Sequence, residues 1–151
     1  MDLEKMQALI ERHGAGEMAR DWDLSLSTMT NDCVYQFFPY RLQVTGVEAQ
    51  TTLWGRFFTE AGPIPCFDMS LRSSEGGEVA EFVAADAHLR VTSSSLVLPD
   101  GTRLGTSHVT RFDFRDGLIR RETVYLDATY MRWVDDVFDD EFRALPGVTQ
   151  L

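Results

Sequence analysis

The chain has 151 residues, enough for one domain with a single sizeable core. A hydrophobic fraction of 44% places it among ordinary globular proteins rather than disordered ones. With 24 acidic and 14 basic residues the formal net charge is −10, a field that repels phosphate backbones and anionic membrane surfaces, so nucleic-acid and membrane partners are not expected.

No apolar run approaches the roughly 20 residues of a membrane span. The opening MDLEKMQALIER is charged from its second residue, unlike a secretory signal, and a cytoplasmic location is expected. Cys33 and Cys66 form no CxxC and read as free thiols. No linker, repeat or low-complexity block divides the chain, so residues 1–151 read as one domain, with 128–151 as a C-terminal helical extension.

The first element reads as a helix, because Leu3, Met6, Ile10, His13 and Glu17 fall on one helical face. That stripe turns ionisable at His13 and Glu17, one turn apart. Gly14 and Gly16 weaken the helix but let another backbone or a ligand come close. A short second helix starts at Asp21, a suitable N-cap, with Trp22, Leu26 and Met29 on its buried side. Cys33 to Tyr40 reads as a strand, and Gly46 to Glu60 as a third helix stopped by Ala61-Gly62-Pro63. Val47, Leu53 or Trp54, and Phe57 or Phe58 form that helix's apolar side.

The remainder is mainly sheet. A short strand over Phe67 to Ser73 and a Gly76-Gly77 turn lead into a long strand from Glu78 to Val97. Pro99-Asp100-Gly101 turns the chain back into Thr102 to Arg115, and Asp116-Gly117 turns it again. After Asp127 the chain is helical, with Tyr130, Val134, Val137 and Leu145 on one side; the acidic run DDVFDDE reads as a solvated face rather than a cation site. Segregated helices and an antiparallel meander give an α+β fold, with helices packed into the concave side of a curved sheet and a pocket at the open end.

Register decides which polar groups face that pocket. A two-residue Asp100-Gly101 loop sets Val97 opposite Leu104, Val91 opposite Thr110 and Leu89 opposite Phe112. His108, Thr110 and Phe112 then face inward with Ala85, Ala87, Leu89 and Val91, while His88 and Arg90 face outward. At the second turn, a three-residue Arg115-Asp116-Gly117 loop turns Leu118, Glu122, Val124 and Leu126 inward. A two-residue Asp116-Gly117 loop turns Ile119, Thr123, Tyr125 and Asp127 inward instead. The first choice buries three aliphatics and one acid and is preferred; it makes His108 and Glu122 diagonal neighbours.

A histidine beside a carboxylate in an apolar cup is a usable acid–base pair. His108, Glu122 and His13 are therefore the candidate catalytic residues. Glu17, Tyr35, Phe38, Trp54, Thr110 and Phe112 are candidate pocket residues, joined by Tyr125 and Asp127 under the alternative register. Tyr35, Phe37, Phe38 and Trp54 suit an aromatic wall for a planar or hydrophobic ligand.

The segment GEMARDWDLSLSTMTNDCVYQFFP, then Gly46 and a helix ending WGRFF, resembles the front half of the SnoaL-like polyketide cyclases. These belong to the nuclear transport factor 2-like superfamily, with ketosteroid isomerase and limonene epoxide hydrolase. FRDGLIRRETVYLD resembles their final hairpin, so the likeness spans roughly Leu3 to Asp127 and is specific for fold rather than reaction. It implies a cone-shaped α+β barrel around a small apolar-walled cavity, commonly homodimeric through the outer sheet face. It also implies a pocket carboxylate that moves protons beside a carbonyl or activates a water, with no cofactor or metal. His13 falls where the isomerases carry a first-helix tyrosine, Glu122 close to the cyclases' acid–base aspartate, and His108 near a polar group of the adjoining strand. Phe38 stands where the isomerases hold their base and Thr110 about where they hold a carboxylic acid, so ketosteroid isomerisation is not expected.

The expectation is a cofactor-independent cyclase, isomerase or lyase acting on a small hydrophobic carbonyl metabolite. The alternatives are a non-catalytic ligand-binding or dimerisation module, and an epoxide hydrolase or hydratase.

Overall fold

The computed structural model describes residues 1–58, 79–84, 86–97 and 102–151. The expected strand at Phe67 to Ser73, the turns at Gly76-Gly77 and Pro99-Asp100-Gly101, the helix stop at Ala61-Gly62-Pro63, Cys66 and Ala85 lie outside the described residues.

Helix α1 (Leu3–Ala19) begins where the Asp2 carboxylate accepts the Lys5 N–H and ends at Arg20 in the left-handed region. Its buried face is Met6, Ile10, His13 and Gly16, one turn further on than the stripe predicts, since Leu3 is exposed. Asp21 caps α2 (Trp22–Leu26) through the Leu24 N–H, as its position before an apolar run predicts. Strand β1 (Met29–Phe38) starts four residues before the expected Cys33 and alternates inward at Cys33, Tyr35 and Phe37. Strand β2 (Leu42–Thr45), unpredicted from sequence, folds back on β1 before α3 (Val47–Phe58). In α3, Leu53, Trp54 and Phe57 are buried while Val47 is exposed.

The expected long strand is a hairpin of β3 (Val79–Ala84) and β4 (Ala87–Val97), with Ala84 opposite Ala87. Strands β5 (Arg103–Arg115) and β6 (Leu118–Leu126) follow. Together the described strands form one open, seven-stranded sheet in the order β3-β4-β5-β6-β1-β2-β7. Its β1–β6 pair is parallel, which seats the first strand beside the last long one. The fold is α+β, and among the described residues the curved sheet does not close into a barrel.

Both turns that decide register differ from expectation. Val97 pairs with Arg103, which leaves five residues between β4 and β5 rather than a two-residue loop. That odd shift flips β4 relative to β5. His88 stands opposite Phe112, Arg90 opposite Thr110 and Thr92 opposite His108, so these three, not Leu89 and Val91, share the inner face. His88, expected outside, is fully buried.

At the second turn Arg115 pairs with Leu118 around Asp116 and Gly117, both at positive φ (54° and 80°), which is a two-residue loop. That geometry alone would turn Glu122 outward. A β-bulge then intervenes, since consecutive Asp113 and Phe114 oppose Arg121 and Ile119, leaving Arg120 as the extra residue. The bulge reverses the alternation, so Phe112 pairs with Glu122, Thr110 with Val124 and His108 with Leu126. The preferred loop is thus replaced by the other one, yet Glu122, Val124 and Leu126 still border the interior cavity.

The expected single C-terminal helix is broken into α4 (Ala128–Val134), a 3-10 turn (Asp135–Phe138) and α5 (Asp140–Arg143). It ends in β7 (Val148–Gln150), which pairs with β2 and so belongs to the sheet. Phe138 and Phe142 anchor this segment in the core against Phe37, Phe57 and Tyr40. The acidic run is structural: Asp135 accepts from Tyr40 at 2.6 Å, and Asp139 caps α5 and pairs with Arg56 at 2.8 Å. No helix among the described residues is long and apolar enough to cross a membrane.

Candidate active site

A cavity of about 400 Å³ opens between α1, α3 and the inner sheet face. Apolar walls come from Phe37, Leu53, Trp54, Phe57, Phe112 and Val124. Polar groups gather at one wall, where three elements converge. Helix α1 brings His13 and Glu17, four residues apart on one face. Strand β1 brings Tyr35, and β6 brings Glu122, directly beside it in the parallel ladder.

His13 is buried and every ring nitrogen has partners. Its Nδ1 lies 2.8 Å from Thr28 Oγ1 and 3.2 Å from the Ser25 carbonyl oxygen. Its Nε2 lies 2.7 Å from Tyr35 Oη, 3.3 Å from Glu17 Oε1 and 3.8 Å from Glu122 Oε2. Tyr35 can also donate to Glu17 Oε1 at 3.3 Å. The Trp54 ring meets both the His13 and Tyr35 rings edge-on and closes the cluster on its apolar side.

The electrostatics follow from burial and crowding. Burial pushes the Glu122 carboxyl up, the negative charge of Glu17 adds to it, and His13 and Tyr35 only partly oppose them, leaving a pKa of about 8. Glu122 Oε2 is buried and has no hydrogen-bond partner among the described residues. For His13, burial opposes the imidazolium, but the hydrogen bond and charge of Glu17, the charge of Glu122 and the Ser25 carbonyl outweigh it and raise its pKa. Burial and the two carboxylates hold the Tyr35 phenol well above its usual range, so it remains a donor. Burial also lifts the Cys33 thiol to about 12, which makes it inert at neutral pH.

Seven of the pocket groups expected from sequence line the cavity besides Glu122: His13, Glu17, Tyr35, Trp54, His108, Thr110 and Phe112. The expected His108–Glu122 pairing does not form. His108 pairs with Leu126, four residues along β5 from Phe112, the partner of Glu122. That is about 13 Å at 3.3 Å per residue. The His108 ring packs instead on Tyr130.

Three expected pocket residues are elsewhere. Phe38 and Tyr125 stack on each other at 5.1 Å on the outer sheet face, because β1 and β6 alternate and Tyr35, Phe37, Glu122 and Val124 take the inner positions. Asp127 caps α4, accepting from the Tyr130 N–H at 2.7 Å, the Ser107 N–H at 2.6 Å and Thr106 Oγ1 at 2.9 Å. Sequence reasoning missed Thr28 and Ser25 as partners of His13, and Arg90 and Thr92 as cavity residues. Only the number of residues between β4 and β5 fixes the register that turns the latter two inward.

Gly16 explains how α2 reaches His13. A Cβ there would fall 2.4 Å from Ser25 Oγ and 2.8 Å from the Ser25 nitrogen, so only glycine admits this helix contact. The Ser25 hydroxyl then donates to the His13 carbonyl at 3.2 Å. Gly14 borders the cavity itself.

One donor atom each from His13, Glu17 and Glu122 lies within 4.8 Å of the others, a set that could hold a divalent cation through one nitrogen and two carboxylate oxygens. The Tyr35 hydroxyl already takes the Nε2 direction at 2.7 Å, so an ion would have to displace that bond.

No protein-family model matches this chain. No curated protein matches it either. Solved structures do. A candidate isomerase of Bacillus subtilis is 16% identical, with a TM-score of 0.61 over 91% of this chain and 96% of its own. A candidate polyketide cyclase of Xanthomonas campestris pv. campestris is 18% identical, with a TM-score of 0.59 over 89% and 97%. A nuclear transport factor 2-like protein of unknown function from Cytophaga hutchinsonii is 9% identical, with a TM-score of 0.55 over 83% and 93%. At such identities the likeness concerns backbone alone. The helices packed on a curved open sheet, the cavity between them and these neighbours together give the chain the nuclear transport factor 2-like fold.

Proposed function

We propose that the chain is an acid–base enzyme of the cyclase, isomerase or lyase type, acting on a small hydrophobic carbonyl compound without a cofactor. The observation that carries this reading is Glu122: a largely buried carboxyl at a cavity wall, with a pKa of about 8 and one oxygen that accepts no hydrogen bond among the described residues. Such a group exchanges protons near neutral pH, where a general acid or base works best. In the reaction, ionised Glu122 takes the proton from the carbon beside the substrate carbonyl. The Tyr35 hydroxyl, backed by protonated His13 and Glu17, donates toward the oxygen on which negative charge develops. Glu122 then returns the proton at a different carbon or to the leaving group. His108 and Thr110 lie along the sheet from this centre and contact the far part of the ligand.

The aromatic walls suit a flat, apolar substrate. Glu122→Gln should lower turnover by about 10²- to 10⁴-fold while the fold persists. Unchanged turnover would remove Glu122 from this role.

The rival reading is a ligand-binding module in which His13 only ties helix to sheet, and the partners on both its nitrogens favour it. It gives no role to the Glu122 carboxyl, whose Oε2 accepts no hydrogen bond among the described residues and is costly to bury idle.

We further propose a homodimer through the outer sheet face. Val91, Val109, Tyr125 and Phe38 form one row across β4, β5, β6 and β1, with Tyr125 46% exposed. A partly exposed apolar row of this kind suits a second copy of the chain.

A further inference from the structure

We infer that Thr28 is a positioning residue for His13: with the Ser25 carbonyl it holds the imidazole hydrogen on Nδ1 and so keeps Nε2 facing Tyr35, Glu17 and Glu122. The inference rests on the proposed role of this cluster in proton transfer, but its geometry stands independently.

Thr28 is fully buried just after α2, and its hydroxyl has two neighbours. Oγ1 lies 2.6 Å from the Ser25 carbonyl oxygen, which has no hydrogen to give, so the hydroxyl hydrogen goes there. Toward His13 Nδ1, at 2.8 Å, the same oxygen can then only accept. The Ser25 carbonyl, 3.2 Å from Nδ1, is also only an acceptor. Both groups facing Nδ1 therefore demand a hydrogen on it. The opposite tautomer would set a bare Nδ1 against a carbonyl oxygen and strip one of the two hydrogen bonds, a penalty in a site closed to water.

With Nδ1 carrying hydrogen, Nε2 of the neutral ring is a lone pair and accepts the Tyr35 hydroxyl at 2.7 Å. On protonation, Nε2–H points at Tyr35 Oη and Glu17 Oε1, freeing the phenol hydrogen for another acceptor. The ring can thus gain and lose a proton on its cavity side without moving. Thr28 is not among the residues that line the cavity and acts only through His13. Its own backbone carbonyl accepts the Ile119 N–H, so replacing the side chain leaves the strand's pairing intact.

The test is nitrogen-15 NMR of the His13 ring in the intact protein, above its titration, in the native chain, Thr28→Val and Thr28→Ser. The native ring should be in the Nδ1–H form. Thr28→Val, equal in shape, should give a mixture of tautomers, and Thr28→Ser should restore the native pattern. An Nδ1-bare native ring, or an identical ring state in Thr28→Val, would overturn the inference without touching the role of Glu122. With a substrate in hand, Thr28→Val should lower kcat on the order of tenfold, the worth of one hydrogen bond, with KM nearly unchanged and kcat recovered in Thr28→Ser. If Thr28→Val does not fold, the native tautomer and the kcat of Thr28→Ser decide alone. Should the tautomer shift while Glu122→Gln keeps full activity, the proposed function fails and the positioning role stands.

Discussion

Tyr35 and Glu122 are direct neighbours across the parallel pairing of β1 and β6, both on the inner face, and His13 reaches from α1 to within 2.7 Å of one and 3.8 Å of the other. A strand near the start of the chain and one near its end thus place a phenol and a carboxyl side by side. The helix supplies the imidazole and a second carboxylate above them. The apolar wall of Trp54 keeps their mutual charges strong.

Stability should fall as pH rises through this cluster. Below pH 4.5 Glu122 is protonated in both folded and unfolded chains, and its full contribution is present. Between 4.5 and about 8 the unfolded chain ionises while the folded one keeps its proton, so stability declines, and above about 8 the loss is complete. The raised pKa of His13 acts in the same direction: its contribution is present below the unfolded value of 6.5 and is lost as pH rises through the folded value. Glu122→Gln removes the larger effect. Thermal melts should show the variant gaining on the native protein from pH 4 to pH 9; a constant gap would contradict the buried carboxyl.

Gly16→Ala should be destabilising by about 1–3 kcal/mol, the usual cost of overpacking. The added methyl meets Ser25 Oγ and backbone nitrogen, so α2 must retreat and carry the Ser25 carbonyl from His13. Urea denaturation measures the loss. Gly14→Ala, with no atom near its Cβ, should cost far less by the same assay.

Asp127→Ala tests its assignment as a cap. Loss of the Tyr130, Ser107 and Thr106 bonds should cost about 1 kcal/mol or more. Turnover per folded molecule should stay near native. A fall in activity comparable with that of Glu122→Gln would return Asp127 to the site.

Tyr125→Glu should split the proposed dimer. A charge in the middle of the Val91–Val109–Tyr125–Phe38 row opposes burial against a second copy. Sedimentation should give the dimer mass for the native chain and the monomer mass for the variant; a monomeric native chain would refute the interface.

Much of this architecture is legible in the sequence where signals are local. Asp21 before an apolar run gives the α2 cap, Asp116-Gly117 gives the turn, and the His13–Glu17 spacing gives two ionisable groups on one helix face. What is not legible depends on one-residue events or distant pairing. The bulge at Arg120 leaves no residue signature, yet it alone restores Glu122 to the inner face after a two-residue turn. The parallel pairing of β1 with β6 joins residues some 87 apart in sequence, Tyr35 with Glu122, and no periodicity announces it. Glu122 therefore faces His13 on the helix, at 3.8 Å, rather than His108 on the neighbouring strand. The five-residue β4–β5 connection likewise turns His88 inward against the expectation set by Asp100-Gly101.

The most direct test of the central claim needs no substrate. Carbon-13 NMR of the Glu122 side-chain carboxyl, assigned by comparison with Glu122→Gln, reports its titration in the folded protein. A midpoint near 8 is the predicted result. A midpoint at the ordinary carboxylate value of 4.5 would mean a solvated, idle group and would contradict the proposed acid–base site.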